Sequence, residues 1–365
     1  MSEYLMTHNQ LRVGILGLGA AANHLHLPAC AAASEKIKLV GGCDISPEGR
    51  QKFKQAEVFS SLDVMLERTT PDLLIIATPP SDHLASCLLA IEAKCHIFCE
   101  KPFVPSLADA DKIISAAHTN GVHVSVNNQF RYMDTHRAAF QAIDNPGFGE
   151  LRYVLATQTF RPSAQTEKGW RGDLTQRTCF EFGIHVFDLL RYFFKEEPIS
   201  IFASMPKKHP GEPDLLNTIH VEFSGGKTAT IILDRLSRGP EHYLDVRLDG
   251  EYADITTSIG GRACFEIGMH TAERRPYARF RFAFGGVATL KNGRTERILA
   301  KNPLDPIREA TKYLFSEIVN ALINGEKPPS SAEDNRHTLS LVIASYDSAK
   351  KNRPVLLSSY TRQTG

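Results

Sequence analysis

From Leu11 to about Val126, short apolar runs alternate with stretches of helical periodicity, and this alternation is the strongest constraint on the fold. "LRVGILGLG" reads as a strand running into a glycine turn, and "AAANHLHLPACAAAS" as the helix that follows. The same beat continues through the strand "IKLVGGCD", a short helix "FSSLDVMLER", the buried strand "PDLLIIATPP" and the helix "SDHLASCLLAIEA", which Ser81 or Asp82 can cap. "CHIFCEKP", the helix "SLADADKIISAAHTNG" and the strand "VHVSVNN" complete it. Strands that alternate with helices pair in parallel through right-handed crossovers, which predicts a doubly wound sheet.

After about residue 130 the pattern changes. A helix "MDTHRAAFQAID" ends at Pro146-Gly147, and strands then dominate: "ELRYVLATQTFRP", "ISIFASMP", "LNTIHVEFSG", "KTATIILDRL", "HYLDVRLDGEYADITTS" and "ARFRFAFGG". They predict an antiparallel or mixed sheet, interrupted by one helix, "CFEFGIHVFDLLRYFF". Two helical segments, "IREATKYLFSEIVNALINGEKP" and "NRHTLSLVIASYDSAKKN", close the chain. The expected class is α/β, with a doubly wound parallel sheet in residues 1–130 and an α+β domain with a large mixed or antiparallel sheet in residues 131–365. Its helices within 306–350 can pack back on the first domain, and a length of 365 residues agrees with two domains.

Composition narrows the function. A hydrophobic share of 42% with 23% charged residues is that of a soluble globular protein. The 42 basic side chains nearly cancel the 41 acidic ones, so no overall field favours nucleic acid or an anionic membrane. The first ten residues lack a basic start and an apolar core, and no apolar run is long enough to span a bilayer. Seven scattered cysteines without a CxxC pair read as reduced thiols in a cytoplasmic protein. Cys95 and Cys99 face one side of their strand and His96 the other, which makes them core residues; no metal is expected.

Gly17-Leu18-Gly19-Ala20-Ala21-Ala22 fits G-x-G-x-x-A between a strand and a helix. Gly17 makes the tight turn, Gly19 leaves room for a pyrophosphate, and Ala22 allows close packing of helix on strand, while the helix N-terminus offers N–H groups to phosphate. Asp44, ending the second strand, can accept both hydroxyls of an adenosine ribose and repel a 2′-phosphate; its plainer use is as a turn or N-cap residue. A dinucleotide is the expected ligand, NAD ahead of NADP.

Two further features carry chemistry. In "FCEKPFVP" a Glu and a Lys end a buried strand, and Pro102 holds Lys101 extended: either a loop with an ion pair, or a lysine delivered to a defined point. In the helix Phe180 to Phe194, Glu181, His185 and Asp188 stand at i, i+4 and i+7 on an otherwise apolar segment. A carboxylate that fixes an imidazole and raises its basicity suits general acid–base work; a hydrogen-bonded core histidine is the alternative. Gly183, inside the helix, is explained by close approach of a ligand or another backbone.

The ordered set "GLGAAANH", "CDIS", "ATPPSDH", "EKP" and "EFGIHVFDLL", with the closing "SSAEDNRHTLSLVIASYDSAKKNRPV", resembles the glucose–fructose oxidoreductase, inositol dehydrogenase and MocA-like family from about Leu11 to Leu356. The resemblance implies a Rossmann domain followed by a mixed α/β domain whose open sheet covers the substrate and commonly forms the subunit interface. It implies Lys101 at the nicotinamide and substrate, often with a cis bond to Pro102, and Glu100 setting the nicotinamide end. His185 takes the place of the general acid–base, with Glu181 as its partner. Thr78, Pro79 and His83 match a segment that runs along the cofactor, and Trp170-Arg171 a pair that precedes the active-site helix. The cofactor set is thus Gly17, Leu18, Gly19, Ala20, Ala21, Asp44, Thr78, Pro79, His83, Glu100, Lys101, Asn128 and Arg171; the substrate set is Lys101, Arg131, Trp170, Glu181 and His185.

Two departures stand out. Glu181 replaces the Asp that family members acting on cyclitols often carry, and Thr178-Cys179 stands where a Gly-Gly pair is common, placing side chains where substrate has space. The expected function is NAD-dependent oxidation of a secondary alcohol of a sugar or cyclitol. Behind it stand a glycosidase that oxidises, eliminates and re-reduces with a bound NAD, and a dinucleotide-sensing regulator without chemistry. Strands such as "ARFRFAFGG" need a covered face, so a homodimer or homotetramer is expected.

Overall fold

The apolar runs of the first third become the strands β1 (Leu11–Leu16), β2 (Ile37–Cys43), β3 (Val58–Phe59), β4 (Leu73–Ile76), β5 (His96–Cys99) and β6 (Val124–Val126) in the computed structural model. The structure describes residues 10–161, 169–237, 242–260, 262–270, 275–283, 285–293 and 295–360. All six strands are parallel, in the order β3-β2-β1-β4-β5-β6. Every residue of β4 is fully buried, as a strand covered on both faces must be. The order reverses between β1 and β4, which opens a crevice at their carboxyl ends, where doubly wound sheets bind ligands.

The helices are α1 (Leu27–Ala32), α2 (Pro47–Lys52), α3 (Leu62–Thr69), α4 (Pro80–Glu92), α5 (Leu107–Asn120), α6 (Asp134–Ala142), α7 (Ile184–Phe194), α8 (Pro306–Asn324) and α9 (Ala332–Lys351). Wider π-helical turns precede two of them, Ala22–His26 before α1 and Cys179–Gly183 before α7. Neither Ser81 nor Asp82 caps α4. Pro79 holds the cap position with no side-chain bond, Pro80 starts the helix with its fixed φ, and the Ser81 hydroxyl bonds Asp82 instead. Phe59, read from periodicity as the start of a helix, instead ends the short strand Val58–Phe59, which pairs with β2 at the sheet edge and buries the Phe59 ring.

The second sheet has nine strands in the order β16-β15-β12-β11-β7-β10-β9-β8-β17. They are β7 (Leu151–Thr159), β8 (Ser200–Ser204), β9 (Leu216–Glu222), β10 (Thr228–Asp234), β11 (His242–Gly250), β12 (Asp254–Ile259), β15 (Val287–Asn292), β16 (Thr295–Lys301) and β17 (Val355–Leu356). Only β7 and β10 pair in parallel within it. "HYLDVRLDGEYADITTS" is therefore a hairpin, β11 turning into β12. A separate hairpin joins β13 (Arg262–His270) to β14 (Arg275–Ala283), and β14 holds most of "ARFRFAFGG". The phenylalanine side chains that would show its covered face lie outside the described residues.

The end of the chain sews the two sheets together. Leu314, Phe315, Ile318, Val319 and Leu322 of α8 share one core cluster with Leu11, Val13, Ile15, Leu73 and Ile75 of the first sheet. Backbone and side-chain bonds from Pro329–Ser331 extend the edge of β6, while β17 extends the second sheet at β8. Among the described residues no helix is long and apolar enough to cross a membrane, and no cluster of ligating side chains could hold a metal.

Candidate active site

The glycine turn after β1 uses its two glycines differently. Gly17 has φ +85, and a Cβ on it would lie 2.8 Å from the Ala77 carbonyl group, so only glycine fits. A Cβ on Gly19 would meet nothing within 4 Å; the space over it is open. Leu18 and Ala22 are buried behind the turn, whereas Ala20 and Ala21 form the helix's outward first turn, whose N–H groups a helix cannot satisfy itself. Asp44 ties this turn to the next loop: its Oδ2 accepts from Leu18 N at 2.6 Å and its Oδ1 from Ser46 N at 2.7 Å.

The loop after β4 lies beside this turn. Thr78 Oγ1 is buried without a partner. His83 is fully buried, its ring set between the carbonyls of Phe103 (2.7 Å) and Thr78 (2.9 Å), so it clamps the loops that follow β4 and β5 together. Open space over Gly19 and an orphaned hydroxyl in the loop beside it fit a dinucleotide, which Gly17–Ala21, Asp44 and Thr78-Pro79 would hold.

Lys101 follows β5, and its bond to Pro102 is cis. Glu100 turns inward, not toward the crevice. Its Oε1 accepts from His26 Nε2 at 2.8 Å and Asn127 Nδ2 at 2.7 Å, and its Oε2 from Lys101 N at 3.2 Å. Burial opposes its charge, but His26, Asn127 and Lys101 together prevail and hold the carboxyl below its ordinary range. The Lys101 ammonium donates to the Glu181 carbonyl at 3.3 Å, which joins the two domains at this point. Burial pulls its pKa down and Arg171 adds to the pull, while Glu100 and Glu181 act the other way.

On the active-site helix the expected carboxylate–imidazole pair does not form. The Glu181 carboxylate takes Arg171 Nε at 2.6 Å on one oxygen and Arg235 Nη1 at 3.1 Å on the other. The π-helical turn Cys179–Gly183 carries Glu181 out of α-helical register with His185, and two guanidiniums hold a carboxylate more strongly than a neutral ring does. His185 instead stacks on Phe130 (centroids 3.8 Å apart, planes within 4°), with Nδ1 sealed and unpartnered. Burial and the nearby Lys101 push its pKa well below 6.5, the reverse of a raised basicity.

Asp188, third member of the stripe, lies in a separate cluster. It accepts from Arg131 Nε at 2.7 Å and Asn128 Nδ2 at 3.3 Å, and Arg131 also pairs with Asp334 at 3.0 Å. Arg131 and Asn128 are thus engaged in packing α7 against α9 and the end of β6. Trp170 lies under the Arg171 guanidinium, 4.4 Å from its ring centroid.

Cys179 is fully buried, with Sγ 3.0 Å from where a Cβ on Gly183 would stand; it fills the core and does not intrude on substrate space. The protein atoms nearest a Cβ on Gly183 would be side chains, of Cys179, Leu233 and Phe187, and not another segment's backbone. The helix start is held by Asp214, which accepts from Arg177 N (2.5 Å), Cys179 N (2.9 Å) and Tyr346 OH (3.1 Å). Asp214, Arg235, Phe130, His26 and Asn127 had no signal in the sequence: each is a single polar or aromatic residue, on a loop or strand end (Asp214, Arg235, Asn127) or in a short helical turn (His26, Phe130), and only the fold brings it here.

Two family profiles match the chain. Residues 11–128 match an oxidoreductase family with an NAD-binding Rossmann fold, and residues 136–256 match the GFO/IDH/MocA C-terminal domain. The chain belongs to the Gfo/Idh/MocA oxidoreductase family. It is 24% identical to a D-apiose dehydrogenase of Paraburkholderia graminis, covering 98% of this chain and 93% of that one. It is 21% identical to an NADP(+)-dependent scyllo-inositol 2-dehydrogenase of Bacillus subtilis, covering 95% and 96%. An oxidoreductase from Agrobacterium radiobacter, solved with NAD+, L-tartaric acid and magnesium, superposes with a TM-score of 0.81 at 18% identity, over 96% of this chain and all of that one. Membership makes this an NAD(P)-dependent oxidoreductase of the family's two-part build.

Proposed function

We propose that the protein is an NAD-dependent dehydrogenase that interconverts a secondary alcohol and a ketone on a sugar, cyclitol or related polyol. One observation carries this: the ammonium of Lys101, just after β5 of the first sheet, reaches across to the Glu181 carbonyl at 3.3 Å, in the turn that leads into α7 and His185. A bound nicotinamide supplies the hydride exchange. The chain's residues supply the proton side. His185 enters neutral, the form able to take the hydroxyl proton at Nε2, the ring nitrogen that is not sealed. Lys101, held by the Glu181 carbonyl, stabilises the oxygen as charge develops on it. Trp170, Arg171, Glu181 and Arg235 shape the substrate side.

The Asp44 carboxylate at the end of β2, where a ribose would reach, supports NAD over NADP. The relatives' activities, on apiose and scyllo-inositol, support a polyol substrate. Association through the second sheet into a homodimer or homotetramer belongs to the same proposal, and a monomer in sedimentation at micromolar concentration would contradict it. Lys101→Ala and His185→Ala should each lower turnover at least a hundredfold while binding NAD as the parent does. Turnover near the parent rate in either variant would refute the role given to that residue.

A further inference from the structure

The loop that follows β2, "DISPEGR" from Asp44 to Arg50, holds an acid and a base at the place where the adenosine ribose of a dinucleotide ends. The acid is already engaged. Asp44 Oδ2 accepts from Leu18 N at 2.6 Å and Oδ1 from Ser46 N at 2.7 Å, so each oxygen takes a charge-assisted bond from the backbone. Gly49 closes on the same group, since a Cβ there would stand 2.9 Å from Asp44 Oδ2. The carboxylate thus staples the glycine turn to the loop, and two N–H groups offset part of its negative charge.

Arg50 is fixed on the backbone of the same residue. Its Nη1 donates to the carbonyls of Asp44 at 2.6 Å and Ile45 at 2.9 Å. Nε and Nη2 make no hydrogen bond to the described residues. Neither acid of the loop forms an ion pair with the guanidinium: Asp44 is held as above, and Glu48 bonds the Ser46 hydroxyl at 2.6 Å. Ile45, next to Asp44, is 91% exposed and uncharged. A guanidinium anchored by one nitrogen, with its remaining donors in the same plane, matches the oxygens of a phosphate monoester.

We infer that NADP is a second cofactor of this protein and that Arg50 receives its 2′-phosphate. A carboxylate without partners would repel that group. This one is offset by two N–H groups and has a guanidinium nitrogen 2.6 Å from its own main-chain oxygen. NAD keeps the advantage, because each Asp44 oxygen retains a lone pair for a ribose hydroxyl. The inference rests on the dinucleotide site described above and widens the cofactor that the dehydrogenase reading assigns to it.

Calorimetric titration of NADH and of NADPH into the protein tests this and needs no substrate. Both should bind, NADH the tighter by less than about a hundredfold. In Arg50→Gln the ratio of the two dissociation constants should move at least about tenfold further against NADPH, whatever loss of loop support weakens both alike. Arg50→Lys, which keeps the charge but not the planar donors, should restore part of that ratio. Added salt should weaken NADPH more steeply than NADH in the parent, and the difference should vanish in Arg50→Gln. A ratio that Arg50→Gln leaves unchanged would overturn the role of Arg50. NADPH weaker than NADH by more than about a hundredfold in the parent would overturn NADP as a second cofactor, with NAD binding intact. If neither dinucleotide bound, the cofactor site and the inference would fall together.

Discussion

Gly17 and Gly19 look alike in the sequence and do different work in the structure. Gly17 bears a left-handed φ against the Ala77 carbonyl, so Gly17→Ala should cost about 2–3 kcal/mol of stability, read by denaturant unfolding. Gly19→Ala meets no protein atom, so stability should hold within about 0.5 kcal/mol while NAD affinity falls about tenfold, read by direct titration. The motif was legible because it names backbone positions, and backbone needs are local. Glu181 was legible as a buried carboxylate but not as to its partner. Two arginines 10 residues before it and 54 after it, not the histidine one turn on, hold its oxygens.

At the scale of elements, the two π-helical turns matter most. One turns His26 inward onto Glu100, and the other moves Glu181 out of register with His185. Hydrophobic periodicity shows a helix in both places but carries no mark of an extra residue in one turn. Gly183 lies in the second turn, and replacing it tests the packing there. Alanine favours a helix by about 1 kcal/mol over glycine, but its Cβ would stand 3.0 Å from Cys179 Sγ and 3.4 Å from Leu233 Cδ1. Gly183→Ala should therefore destabilise by about 1 kcal/mol, since overpacking of about 1–3 kcal/mol outweighs propensity. In a Cys179→Ala background the same change should become stabilising. A double-mutant cycle by thermal unfolding reads the coupling, and additive effects would show that Cys179 is not the obstacle.

Over the whole molecule, the first sheet does not complete its own core. Phe315, on α8 near the chain's end, packs on Phe98 of β5, and Phe98 meets the edge of His26. A fragment of residues 1–130 should accordingly show no cooperative unfolding transition by circular dichroism; a sharp one would prove α8 dispensable. Acid sensitivity is likewise a property of the whole. Burial holds His136 at about 4, burial with the neighbouring His123 holds His96 at about 4, and burial with Lys101 holds His185 well below 6.5. Folded, they stay neutral where the unfolded chain takes up protons. Stability is thus full above about pH 6.5 and falls as pH drops toward 4, by up to about 1.4 kcal/mol per pH unit for each histidine. Denaturant midpoints at pH 7, 6 and 5 should show this, with a shallower slope in His136→Gln.

The two sheets, their order and the glycine turn after β1 follow from local pattern, because strand and helix periods and turn residues act over a few positions. What surrounds Lys101 and His185 does not. The inward turn of Glu100, the capture of Glu181 by Arg171 and Arg235, the commitment of Arg131 to Asp188 and Asp334, and the capping of the active-site helix by Asp214 each join residues far apart in the chain. Several groups of similar polarity compete for each partner. Which of them wins depends on burial and distance, and those exist only once the two sheets and α8 have packed.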